Sequence, residues 1–129
     1  MVVTEGLGIV IVEDDALIAM DLADLLIGMG HDVRAIAQTE SEAVAAALRC
    51  QPDLMIVDGQ LAEGSGMEAM RQIQATGHVA HFYITGDPLR IAGLSADVVV
   101  VAKPFTLNDL ASGIARARRG VDRPKLPKI

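Results

Sequence analysis

Apolar and polar positions follow two repeats along this chain. Continuous apolar runs at 7–12 (LGIVIV), 54–57 (LMIV), 79–84 (VAHFYI) and 98–102 (VVVVA) are short and bounded by turn formers or charges. Runs of that length predict buried strands. A fifth stretch, HDVRAIA at 31–37, alternates imperfectly; Asp32 and Arg34 need water, which predicts a strand at a sheet edge. Between the runs the spacing becomes helical. Residues 16–29 place Ile18, Leu22, Leu25, Leu26 and Met29 on one side and Asp21 and Asp24 on the other, with Gly30 as the stop.

The remaining helices are read from their boundaries. Thr39 or Ser41 caps a second helix that reaches Cys50 and ends before Pro52, with Glu42 completing a capping-box pattern. Ser65 caps a third, 66–76, ended by Gly77. A short helix at 89–96, with Pro88 before it and Gly93 inside it, is the least stable. Thr106 or Asn108 caps the last, which runs to 119. Strands alternating with helices imply right-handed crossovers, hence an α/β doubly wound parallel sheet with helices on both faces.

The length of 129 residues fits one domain, expected over 1–120, with 121–129 a basic tail or linker remnant. With 1 Tyr, 2 Phe and no Trp, the core must be aliphatic, which suits a sheet covered on both sides. Cys50 is alone and no charged-then-apolar leader precedes the first strand, so the expected location is cytoplasmic. No apolar run approaches the ~20 residues of a membrane span. Residues 1–115 carry 16 acids against 5 bases, whereas 116–129 carry 6 bases against 1 acid. The folded body should therefore repel nucleic acid, and only the basic end could attract it.

Chemistry gathers where the strands run out. The first delivers Glu13, Asp14 and Asp15, the third Asp58, the fourth Thr85, and the fifth Lys103-Pro104. In a doubly wound sheet, ligands bind beyond the carboxyl ends of the strands. Glu13, Asp14 and Asp58 are hard oxygen donors without Cys or His beside them, the ligand set of Mg²⁺ or Mn²⁺ rather than zinc. Such carboxylates would repel one another without a cation. A carboxylate nucleophile, a metal ion, a hydroxyl and an ammonium together suit phosphoryl transfer, where positioning and charge neutralisation are most of catalysis.

These residues resemble the receiver domains of bacterial two-component response regulators, over 7–119. The acidic pair matches Glu13-Asp14, the phosphoacceptor Asp58, the hydroxyl Thr85 and the lysine Lys103, and Gly66 fits the loop beyond the acceptor. The resemblance implies a flavodoxin-like fold with strand order 2-1-3-4-5. It implies that Asp58 takes a phosphoryl group from a histidine kinase or phosphotransfer protein. Mg²⁺ (or Mn²⁺) would be held by Asp14, Asp58 and the carbonyl of Gln60, with Glu13 acting through water, while Thr85 and Lys103 bind the phosphoryl oxygens. A stand-alone module of this kind is not an enzyme on a separate substrate; it catalyses only its own phosphorylation and dephosphorylation. Its output would be a changed surface on the fourth helix, fifth strand and fifth helix, offered to an unknown output protein or to a second copy in a homodimer.

Three positions depart from the family pattern. Ala62 stands where proline is frequent, implying a looser loop. Ser65 replaces a frequent acid. Val100 stands where an aromatic usually rotates on phosphorylation, which moves any switch onto Thr85 and the segment 87–96. Two other functions compete. An aspartate-nucleophile phosphatase would need an acid two residues after Asp58, where Gln60 stands. A receiver-like interaction module independent of phosphorylation would have little need of Asp58, Thr85 and Lys103 together. His31, His78 and His81 are too scattered for a metal site and are read as surface or edge residues, and Cys50 as packing.

Overall fold

The structure, a computed structural model, describes residues 6–92 and 98–119. The basic tail and the second half of the expected fourth helix lie outside the described residues. Five parallel strands, β1 (Gly8–Val12), β2 (Asp32–Ala37), β3 (Leu54–Asp58), β4 (Ala80–Thr85) and β5 (Val100–Ala102), form one sheet in the order β2-β1-β3-β4-β5. The flavodoxin-like order is the expected one, and β2 is an edge strand. Alternation along the central strands divides the core. Ile9, Ile11, Leu54 and Ile56 face α1 (Ala16–Gly28) and α5 (Leu107–Ala117). Val10, Val12, Met55 and Val57 face α2 (Glu40–Cys50), α3 (Gly66–Gln74) and Ile91 of the short α4 (Pro88–Ala92). Every residue of β1 and β3 is buried, which is why those strands read as continuous apolar runs.

The caps explain where the helices begin. Asp15 accepts the N–H groups of Leu17 and Ile18, Thr39 that of Glu42, and Ser65 that of Glu68. Thr106 and Asp109 form a reciprocal capping box. At α2 the expected box is displaced by one residue: the Glu42 carboxylate accepts the Gln38 N–H at 3.3 Å rather than that of Thr39. Gln51 ends α2 in the left-handed region at φ 47°, a C-terminal cap conformation, and Pro52 after it cannot continue the helix. Gly30, at φ 95°, turns the chain out of α1 as expected.

Helix α1 departs from its expected faces. Ala19, Leu22 and Leu26 are buried, but Leu25 is 37% exposed, and Leu17, Met20 and Ile27 are more exposed still. Its acids share the outer side with large apolar residues, so the period marks one buried stripe without making the opposite stripe polar. His31 lies at the sheet edge, one of the two places expected for it, but not at the surface. It is buried beside β2, and its Nδ1 accepts the Leu7 N–H at 3.1 Å. Burial lowers its pKa. Among the described residues, no helix is long and apolar enough to cross a membrane.

Candidate functional site

The carboxyl ends of β1, β3, β4 and β5 meet at one rim because the register places Val12 beside Val57, Asp58 beside Ile84, and Thr85 beside Ala102. The ladder continues past β5, with the Lys103 N–H donating to the Thr85 carbonyl at 2.8 Å. Lys103 is thereby fixed next to β4, and its side chain crosses the rim. Nζ lies 3.1 Å from Asp58 Oδ2 and 3.0 Å from Glu13 Oε1. Glu13 is wholly buried, Asp58 and Thr85 are buried, and Asp14 stands at the solvent edge.

Oxygens of Glu13, Asp14 and Asp58 lie within 4.8 Å of one another. Burial, followed by the neighbouring Asp58, pushes the Glu13 carboxyl up to about 8, against the pull of Lys103. Desolvation would lower the Lys103 pKa, but its hydrogen bonds to Glu13 and Asp58 outweigh that and raise it. Glu13 Oε2 is buried without a hydrogen-bond partner. A buried carboxylate oxygen left unmatched beside two further acids is an arrangement that a hard divalent cation satisfies, so the residues fit the ion that the donor set implied. Asp14 and Asp58, with the Gln60 carbonyl, would hold it and Glu13 would back it. When bound, the ion supplies positive charge to phosphoryl oxygens.

The loop after β3 is closely tied. The Gln60 N–H donates to Asp58 Oδ1 at 2.9 Å and the Ala62 N–H to Asp14 Oδ2 at 2.9 Å. From α2, Glu40 Oε1 accepts the Ser65 N–H at 3.1 Å, and the Glu40 N–H reaches the Glu63 carbonyl at 3.3 Å. The loop expected to be loosened by Ala62 is instead anchored at four points. Thr85 Oγ1 accepts the Asp87 N–H at 3.0 Å, which leaves its own proton available to an anion above Asp58. A cleft of about 640 Å³, lined by Gly59, Gln60, Thr85, Asp87 and Ile91, opens beside the end of β3.

Three contributors escaped the sequence reading. Ala62 and Glu40 act on the site through backbone hydrogen bonds, and the only signal was the N–H that an alanine has and a proline lacks. Ile91 packs over Gly59, where a Cβ would collide with its side chain; the signal was a glycine directly after Asp58.

A parallel sheet in this order, with acids, threonine and lysine at one rim, defines a receiver-type phosphoacceptor architecture. The family model for the response regulator receiver domain matches residues 9–115, and the chain belongs to that family. It is similar to the phyllosphere-induced regulator PhyR of Methylorubrum extorquens, at 39% identity over 84% of this chain. It spans only 42% of that relative's length. Among solved structures it is similar to the receiver domain of Erythrobacter litoralis PhyR, at 29% identity and a TM-score of 0.81, covering 97% of this chain and 98% of that one. It is also similar to the anti-anti-sigma factor PhyR of Bartonella quintana, at 32% identity and a TM-score of 0.80, covering 88% of this chain and 48% of that one.

Proposed function

We propose that this chain is the phosphoacceptor module of a two-component phosphorelay and that Asp58 is the accepting group. An Asp58 oxygen attacks the phosphorus of a phosphohistidine on a kinase or phosphotransfer protein. The P–N bond breaks, the imidazole leaves with a proton, and an acyl phosphate forms on Asp58. Lys103 stays paired with the new phosphoryl oxygens, and the Thr85 hydroxyl donates to another. The reaction depends on Mg²⁺, and the chain turns over no separate substrate. The observation that carries this reading is the Lys103 ammonium 3.1 Å from Asp58 Oδ2, at the rim where Thr85 and the acids converge.

The phosphodonor and the output partner use different faces. Exposed Leu17 and Met20 open α1 beside Asp14 and Asp15, where an incoming helical donor would rest. On the output side, Leu89 of α4 is 85% exposed and Leu107 of α5 is 52% exposed, which suits an apolar partner surface or a second copy of the chain. That the similar Bartonella protein is an anti-anti-sigma factor favours a protein partner over nucleic acid, in keeping with the acidic body.

The test is incubation with acetyl phosphate or a phosphorylated kinase plus Mg²⁺, followed by intact mass measurement. A single phosphoryl adduct is expected in the wild type and none in Asp58→Asn or after chelation. No adduct with either donor would leave a phosphorylation-independent interaction module. Equal adducts in wild type and Asp58→Asn would show that the acceptor lies elsewhere.

A further inference from the structure

Of the three clustered acids, Asp14 is the one that Lys103 does not reach. The ammonium bonds to Glu13 and Asp58, whereas Asp14 Oδ2 takes its hydrogen bond from a backbone group, the Ala62 N–H, at 2.9 Å. That donor is itself held in place. Two residues before it, the Gln60 N–H is fixed on Asp58, and three residues after it, the Ser65 N–H is fixed on Glu40. The Ala62 N–H therefore stands at a set point at the rim, and the shorter, freer Asp14 side chain is oriented by it.

An aspartate at a solvent edge otherwise samples several rotamers, and a cation ligand must occupy one of them. Resting on the reading that a divalent cation serves this site, we propose that the Ala62 N–H is a positioning group for that cation: by occupying Asp14 Oδ2 it presents Oδ1 to the ion shared with Glu13 and Asp58. The role belongs to the backbone, so any residue with an N–H at position 62 can fill it, and proline cannot. Cation binding and the order of the loop after β3 are then coupled, each favouring the other.

The test uses the full 129-residue chain with Mn²⁺ alone as the probe and no phosphodonor, binding being followed by electron paramagnetic resonance and calorimetry. Ala62→Pro is expected to weaken Mn²⁺ binding about tenfold, the lower end for loss of a partner behind a metal ligand, while Ala62→Ser, which keeps the N–H, binds as the wild type does. Equal affinities in wild type and Ala62→Pro, or equal weakening in Ala62→Ser, would overturn the assignment. Because proline can also disturb the loop, hydrogen exchange of the Ala62 amide gives a second reading. It should be slow in the wild type and about tenfold faster in Asp14→Ala, in line with loss of a charge-assisted bond. Rapid exchange in both would equally reject the role. Phosphoryl labelling of a wild type whose Mn²⁺ affinity is unchanged by Ala62→Pro would reject the positioning role alone. Absence of Mn²⁺ binding by the wild type would reject the cation assignment beneath it.

Discussion

Lys103 Nζ stands 3.1 Å from Asp58 Oδ2 because Glu13, wholly buried behind it, holds the same ammonium at 3.0 Å. The lysine thus pairs with Asp58 and also offsets a carboxylate that has little access to water. Lys103→Ala leaves Glu13 buried and unpaired, a loss of about 2–3 kcal/mol for a charged partner. Urea unfolding without divalent cation should show that loss grow as pH rises above about 8, where Glu13 ionises in the folded wild type. The gap to wild type should shrink as pH falls below about 8, the folded pKa of Glu13, because the carboxyl then carries its proton in the folded state of both proteins. Some labelling of Asp58 should persist, with a weaker conformational response.

Gly66 opens α3 directly against the end of β3. A Cβ there would collide with the Asp58 carbonyl oxygen and crowd Val57 Cγ1, and a backbone atom cannot step aside as a side-chain tip can. Gly66→Ala is expected to destabilise by about 3 kcal/mol through overpacking and to displace the strand end that bears Asp58. Urea titration checks the first effect. A slower rate of acyl phosphate formation per folded molecule checks the second.

His31 couples stability to mildly acidic pH. Its folded pKa is lowered by burial from 6.5, and its unprotonated Nδ1 accepts the Leu7 N–H. The unfolded chain therefore binds this proton more readily. The contribution is fully present above about pH 6.5 and is lost as pH falls toward the lower folded value. His31→Gln, which retains an acceptor, should flatten the fall in thermal midpoint between pH 7 and pH 5. The flattening will be partial, because burial also lowers the pKa of His81.

Much of this arrangement could be read before the fold was known, for reasons that differ by residue. The fully buried β1 and β3 appear as unbroken apolar runs, so Asp14 and Asp58 were placed at strand ends by length alone. Thr85 and Lys103 followed because β4 and β5 are also bounded by turns. The strand order came from family likeness, since periodicity does not say which strands are neighbours. Leu25 was misplaced because α1 carries large apolar residues on its outer side as well, where helical period alone does not mark the buried stripe. The bond from Ala62 to Asp14 spans 48 residues of chain and is made by a backbone group, which no side-chain pattern encodes.

Ile91 lies over Gly59, 3% exposed, and so brings α4 against the residue next to Asp58. With valine at position 100, no aromatic is available on β5 to report a change at Asp58. Thr85 and Ile91 line the same cleft, so a threonine drawn toward a phosphoryl group alters the surface on which Ile91 rests. Gly59→Ala places a methyl group where the Ile91 tip sits, and a side-chain tip on a five-residue helix can yield. The expected outcome is about tenfold faster amide exchange over residues 89–92, equivalent to roughly 1.4 kcal/mol of local stability, with α5 unchanged. In the wild type, a beryllofluoride mimic of the acyl phosphate should alter exchange over the same residues, and in Gly59→Ala that response should be blunted because Ile91 has already moved. A wild type whose 89–92 amides ignore the mimic would place the conformational response elsewhere.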